Sequence, residues 1–164
     1  MILPPRKPIN NKLSYFDLLC ARAQPFIPEA SLVFTGYDEL VEKYVTLSDL
    51  DSSGNVEMAV EFNAWAEYFA DVSNYIQNQY LDAETDKLQS FSAASLTFSE
   101  KNVSAGDRKA NTEAEVILAR KKRNALKSLY DALEAKREFC DKVFYQCKHN
   151  CIEMSEKAAA NGRK

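Results

Sequence analysis

Residues 104–157 read SAGDRKANTEAEVILARKKRNALKSLYDALEAKREFCDKVFYQCKHNCIEMSEK. The stretch holds no proline and a single early glycine, Gly106. Leu126, Leu129, Leu133, Cys140, Phe144, Cys147, Cys151 and Met154 recur along it, and Tyr130, Val143 and Ile152 widen the stripe. At 3.6 residues per turn these positions share one face, so the spacing predicts one long amphipathic helix. Ser104 followed by Asp107, and Thr112 followed by Glu115, both have the form of a capping box, and the helix is expected to start at one or the other. A basic knot, Arg120-Lys121-Lys122-Arg123, sits inside it.

Upstream lies a partner. Met58, Phe62, Trp65, Phe69, Val72 and Ile76 alternate spacings of four and three, a heptad seam carried on loosely by Tyr80 and Ala83. Its outer positions carry Glu57, Glu61, Glu67, Asp71, Asp82, Glu84 and Asp86. The Ser-rich, weakly periodic stretch FSAASLTFSEKNVSAGD (91–107) is expected to hold the connection. The fold class is therefore all-α: a long antiparallel helical hairpin, with helices over about 57–90 and 106–157, that oligomerises through its seams because two helices bury little alone.

All five prolines fall in the first 28 residues: Pro4, Pro5, Pro8, Pro25 and Pro28. Residues 1–11 read as an extended arm, since proline fixes φ and removes a donor. Residues 12–23 form a short amphipathic helix with Leu13, Phe16, Leu19 and Cys20 on one face. Tyr37–Leu47 forms another, with Leu40, Val41, Tyr44 and Leu47 inward, and 47–55 (LSDLDSSGN) reads as a turn. The division is a Pro-rich arm with a short helix over 1–28 and a helical domain over 29–164, ending in a fraying AAANGRK tail.

The net charge of -3 conceals a segregation. Residues 1–28 carry +3, residues 29–86 carry -12 with Lys43 the one cation, and residues 87–164 carry +6. Such asymmetry points to pairing between parts of the molecule or to an anionic partner for one of them. No apolar run approaches the ~20 residues that span a membrane, and the first twelve residues lack an uninterrupted apolar core of the signal-peptide kind. A cytoplasmic protein is expected. Cys140, Cys147 and Cys151 lie on successive turns of one helix, a poor disulfide framework, so these and Cys20 are expected to be reduced.

Chemistry-bearing motifs are few. Asp49, Asp51, Ser53, Gly54 and Val56 fit positions 1, 3, 5, 6 and 8 of a calcium loop, but position 12 is Val60 and Glu61 comes one residue late, so the oxygen shell is incomplete. An acidic turn opening a helix is the simpler reading. Cys140, Cys147 and Cys151 share a helix face while His149 points to the other side, which does not build a tetrahedral zinc shell. There is no nucleophile elbow, phosphate loop, dinucleotide fingerprint or zincin motif, and the one histidine falls on an outer face. No catalytic residue, metal, cofactor or small-molecule substrate is expected.

The basic positions offer more. Arg120, Arg123 and Lys127 form a stripe that Lys121 and Lys122 broaden. Lys101, Arg108 and Lys109 add charge at the hairpin tip, and Lys136, Arg137, Lys142 and Lys148 continue it. A line of cations can track a phosphate backbone, and Tyr130 and Tyr145 could stack bases. The same cations could equally pair with the acidic helix, within or between protomers.

The layout resembles the recombination mediator-like proteins of tailed phages, which load a recombinase onto single-stranded DNA. The likeness spans about residues 57–156: Trp65 on the first long helix, a polar connection, a phrase of the form S-x-x-acid-R-K-x-x-x-acid matched by Ser104, Asp107, Arg108, Lys109 and Glu113, and the closing helix to about Glu156. It implies a homo-oligomer, with a ring among the forms open to it, that binds single-stranded DNA together with a recombinase or a single-strand-binding protein in the cytoplasm of an infected bacterial host. Arg108, Lys109, Arg120, Lys121, Lys122, Arg123 and Lys127 would contact phosphates. There is a departure: members of that group carry DNA-contacting Lys and Arg on the first long helix, and Glu57 to Asp86 contains none. The alternative expectation is a phage structural or assembly protein of the virion, working only through protein–protein contacts, the charge segregation mediating docking and the arm reaching a neighbour.

Overall fold

The structure, a computed structural model, describes residues 14–46, 51–98 and 103–161. It is all-α: α1 (Tyr15–Ala23), a 3-10 turn (Gln24–Phe26), α2 (Thr35–Thr46), α3 (Ser52–Phe98), α4 (Val103–Ala110) and α5 (Ala114–Asn161). The long helices α3 and α5 pair as the expected hairpin. The extended stretch 1–11, Leu13, Leu47, Asp49, Lys101 and the last three residues lie outside the described residues.

The chain divides into two compact units. The first comprises, among the described residues, 33–46, 51–72 and 133–161. Its centre is aromatic. Phe69 is fully buried and meets Phe34 stacked at 5.5 Å and Tyr37 edge-on at 4.9 Å. Phe62, also fully buried, meets Tyr44 of α2 at 5.5 Å and Phe139 of α5 at 5.9 Å. The offset and edge-on geometries suit the ring quadrupoles. Asn55 on α3 accepts from Asn150 on α5 at 3.1 Å, so partner numbers fall on α5 as they rise on α3, which is the antiparallel sense. Gly36 opens α2 against the indole of Trp65, where a Cβ would come within 3.3 Å. Glycine there lets the helix approach the ring.

The second unit comprises 14–32, 73–98 and 103–132. Ser14 caps α1 with a full capping box: its hydroxyl accepts from the Asp17 amide at 3.1 Å, and its own amide donates to the Asp17 carboxylate at 2.8 Å. Phe16, Leu19, Cys20, Ala23 and Ile27 are buried on that side, with Ile76 and Ala83 of α3 and Val116, Leu126 and Leu129 of α5. The Tyr75 hydroxyl donates to Glu29, tying the segment after α1 to α3. The paired residues Glu84–Arg123 and Asp86–Lys122 repeat the antiparallel sense within this unit.

Three boundaries differ from the sequence expectation, each for a local reason. Residues 52–55, read as turn, are the first turn of α3. Asp51 caps it, its carboxylate accepting from the Gly54 amide at 2.7 Å and its carbonyl from the Asn55 amide at 3.0 Å. Residues 91–98, read as connection, continue α3 to Phe98, and Ser95 donates to Asp107 of α4. The second long helix starts at neither proposed cap: Ser104 lies inside the separate helix α4, and the Thr112 hydroxyl donates backward to the Lys109 carbonyl at 2.7 Å, closing α4. Ala114 then opens α5, which runs through the expected fraying tail to Asn161.

Candidate nucleic-acid interface

The seven basic positions singled out in the sequence all fall in the second unit. Arg108 and Lys109 occupy the last turn of α4, where cations favour the negative end of the helix dipole. Arg120, Lys121, Lys122, Arg123 and Lys127 lie on α5.

Most of the knot is already partnered. The Lys122 ammonium sits 3.1 Å from Asp86, and the Arg123 guanidinium 3.2 Å from Glu84. Arg123 also donates to the Asn124 side chain at 3.0 Å and lies 5.7 Å from the Tyr80 ring centre, while its Nε is buried without a hydrogen-bond partner. Lys127 pairs with Asp131 one turn on and sits 5.8 and 5.5 Å from the Tyr80 and Tyr130 rings. Arg120 donates to Asn111 and stands 6.0 Å from the Phe91 ring. Lys109 lies over Phe98 at 4.2 Å. Arg108 and Lys121 are exposed and make no ion pair among the described residues.

Glu84 is the hub of this network. It accepts from the Tyr80 hydroxyl at 2.7 Å and pairs with Arg123 and, at 3.5 Å, with Lys87. The Tyr80 hydrogen bond, aided by the Arg123 charge, holds its carboxyl below the usual range, and the same bond pushes the Tyr80 phenol up. Asp131 raises Lys127 in the same way. The sequence showed an acidic helix beside a basic one. It did not show which carboxylates meet which cations, because that depends on the register of α3 on α5.

Cys140 and Cys147 are buried seam residues, and burial pushes the Cys140 thiol up to about 12. Cys151 is half-buried and donates to the Ser52 carbonyl at 3.7 Å. All four cysteines are free thiols. His149 faces outward and pairs with Glu153 at 3.2 Å when protonated. Among the described residues no three His, Cys, Asp or Glu side chains converge as a metal site. No helix among them is long and apolar enough to cross a membrane.

No protein-family model, curated protein or solved structure matches this chain. Its function is therefore read from its own residues.

Two features of the surface were not legible from the heptad pattern. Trp65, read as a seam residue, is only half-buried. With Ala64 and Tyr68 it lines an open cleft of about 290 Å³ in the first unit. In the second unit Leu81, Leu88, Leu96 and Leu118 are each more than half exposed. The i+4 recurrence of Val56, Val60, Ala64 and Tyr68 was a usable signal for the first feature.

Proposed function

We propose that this chain is a non-catalytic helical protein that works by protein–protein docking, assembly with copies of itself included. The observation that carries the reading is the outward distribution of apolar side chains. Val56 and Val60 on α3 in the first unit, and Leu81, Leu88, Leu96 and Leu118 in the second, stand in water while Lys122, Arg123 and Lys127 of α5 are paired with carboxylates of their own unit. Single exposed apolar residues are ordinary, but several large ones on the same two helices favour an interface. This is the role of a structural or assembly component rather than of a DNA-loading factor.

The test is the mass in solution across a concentration series, with Leu88→Glu and Leu118→Glu as variants. An oligomer that the two charges dissociate, with the helical circular dichroism unchanged, supports the reading. A chain that stays monomeric at every concentration up to ~1 mM, the weakest affinity worth about 4 kcal/mol, defeats the self-assembly part of it.

One observation favours the second reading, single-stranded DNA binding of the mediator type. Arg108, Lys109 and Lys121 remain exposed, with Arg120 near them in sequence. If they meet phosphates, DNA affinity falls steeply with salt, and neutralising Arg108, Lys109 and Lys121 reduces the slope by roughly one for each phosphate no longer met. Absence of binding at low salt rejects it.

A further inference from the structure

We propose that the first unit carries a soft-metal site where α5 passes the start of α3: Cys147 and Cys151 hold a copper(I) ion as thiolates, and the Met154 thioether is its third ligand. The site is independent of the docking reading above.

The observation is a convergence of sulfur. Cys147, Cys151 and Met154 stand at i, i+4 and i+7 on α5, hence on one face of the helix. Helical Cα–Cβ bonds tilt toward the N-terminus, which leans Met154 back toward Cys151. Met58 of α3 belongs to the same end. Asn150 donates to Asn55 at 3.1 Å, and three residues inward from that pair along each antiparallel helix lie Cys147 and Met58. Both are buried, with 1% of their surface in water. Cys151 is half-buried and lies against the first turn of α3, its thiol donating to the Ser52 carbonyl at 3.7 Å. Sulfur can also fill a seam as carbon does. Cys140, fully buried one heptad before Cys147, is filler of that kind, with no second cysteine one turn away. Cys147 has one.

Spacing decides what the two thiols can do. Side chains one turn apart on a helix hold their Cβ atoms ~5–6 Å apart. A disulfide needs about 3.5–4.5 Å, so Cys147 and Cys151 cannot close on each other without unwinding α5. An ion bonded to both sulfurs at ~2.3 Å holds them up to about 4.6 Å apart, and that added reach spans the turn. The donor set selects the ion. Thiolate and thioether are soft ligands, and they favour copper(I). Zinc sites are usually closed by four Cys, His or carboxylate ligands, and among the described residues no three such side chains converge.

Binding exchanges protons and involves no redox step. Copper(I) and two thiols give a copper(I) dithiolate carrying one negative charge, and two protons are released to solvent. Burial, and then the neighbouring Cys151, push the Cys147 thiol up, as expected of two thiols close together in a place of low polarity. A bound cation reverses that balance and deprotonates both. The positive end of α3, whose first turn Cys151 touches, favours the resulting negative charge. Cys151 supplies the route in from solvent, and the buried Met58 and Cys147 keep water from the inner side.

The experiment titrates the reduced full chain with copper(I), supplied anaerobically as its acetonitrile complex. It follows the thiolate-to-copper absorption in the near ultraviolet, with a copper(I) chelator, bathocuproine disulfonate, as competitor. The expected result is one ion per chain, lost in Cys147→Ser and in Cys151→Ser and retained in Cys140→Ser. Met154→Leu is expected to keep the ion but release it at a lower chelator concentration. Because a buried serine can unsettle the fold, a second probe is used on the unaltered chain. Phenylarsine oxide bridges two neighbouring thiols with loss of water. Mass mapping after alkylation should show Cys147 and Cys151 protected together, and Cys20 and Cys140 alkylated once the chain is unfolded. Absence of copper binding, copper that survives both serine substitutions, or an arsenical that protects neither thiol overturns the proposal. Copper that appears only with a dimer and survives Cys147→Ser assigns it to Cys151 of two copies and overturns the one-chain site. Unchanged chelator competition in Met154→Leu overturns the three-sulfur shell.

Discussion

The same two helices are packed in two different ways along their length. In the first unit α3 and α5 close around rings: Phe34, Tyr37, Phe62, Trp65, Phe69 and Phe139 touch one another in chains. In the second they close around Ile76, Ala83, Leu126 and Leu129, with a rim of ion pairs on Glu84, Asp86 and Asp131. Where chemistry faces outward follows from this contrast. Rings too large to be fully covered spill onto the surface as the Trp65–Tyr68 cleft, whereas the charged rim is consumed by its own unit.

Removing the ring hub should do the greatest damage. Phe69 is fully buried and lies within 6.3 Å, centre to centre, of Phe34, Tyr37, Trp65 and Tyr68. Phe69→Ala deletes the transfer energy of a phenyl group, opens a cavity and deprives those four rings of a neighbour, and should cost about 3–5 kcal/mol in denaturant unfolding. Leu126→Ala in the second unit, equally buried, should cost less, nearer ~2–3 kcal/mol, because a smaller side chain leaves a smaller void. Equal effects would mean that the rings contribute only their area.

A finer probe of the aromatic unit is Lys136, only 4% exposed. Its ammonium lies 4.0 Å from the centre of the Tyr37 ring, 5.9 Å from that of Phe69 and 4.0 Å from Asp38, whose side chain reaches solvent. The sequence placed Lys136 in a line of outward cations. The structure makes it a core residue whose methylene stem fills space and whose charge rests on ring faces. Lys136→Ala loses stem and charge together and should cost ~2 kcal/mol. Lys136→Met keeps the stem and removes the buried charge, and should lie within ~1 kcal/mol of the parent or above it. If both variants lose stability equally, the charge rather than the stem holds the site.

The legible and illegible parts of the chain divide along the same line. Met58, Phe62, Phe69, Ile76, Leu126, Leu129, Leu133, Cys140 and Cys147 were assigned to the seams by spacing alone, and all are buried. Period survives because it depends only on backbone geometry. The seam fades where its partner ends: Cys151 is half-buried, Ile152 is 50% exposed and Met154 36%. Helix ends were misread wherever a distant partner overrode composition. Asn55 looks like a turn residue until Asn150 donates to it in the core, and Ser95 until Asp107 accepts from it. The basic site was legible as charge and illegible as pairing, since Glu84 and Asp86 find Arg123 and Lys122 only through the register of two long helices.

The seam thiols distinguish the aromatic unit by pH as well. The Cys140 thiol is raised to about 12 by burial, outweighing the Lys136 charge that favours the thiolate. In the unfolded chain a thiol ionises near ~8.5. Above that pH the unfolded state releases a proton that the folded state keeps, so stability falls as pH rises from there toward about 12. Unfolding midpoints from about pH 8 to 10 should therefore slope downward, and Cys140→Ala should flatten the slope. Native alkylation at about pH 8 should reach Cys151 first, because Cys140 and Cys147 are buried. Rapid modification of Cys140 in the native state would show that the first unit opens.

The smallest stability change, and the most direct reading of the charged unit, comes from Glu84→Gln. The variant keeps an acceptor for the Tyr80 hydroxyl and removes the charge that meets Arg123 and Lys87. Because the Glu84 carboxyl is held down in the folded state, its contribution is present above the ordinary carboxylate pKa and is lost as pH falls through the lowered value. The variant should lose that acid-side slope and change little near neutral pH, since exposed pairs contribute little. Its value lies in what it releases. If the knot is occupied by its own unit, freeing Arg123 should raise affinity for single-stranded DNA at low salt and steepen the salt dependence by about one phosphate. If Glu84→Gln leaves DNA binding unchanged at a level that is already strong, the cations were never committed to the hairpin, and the second unit, not the first, is where this protein meets its partner.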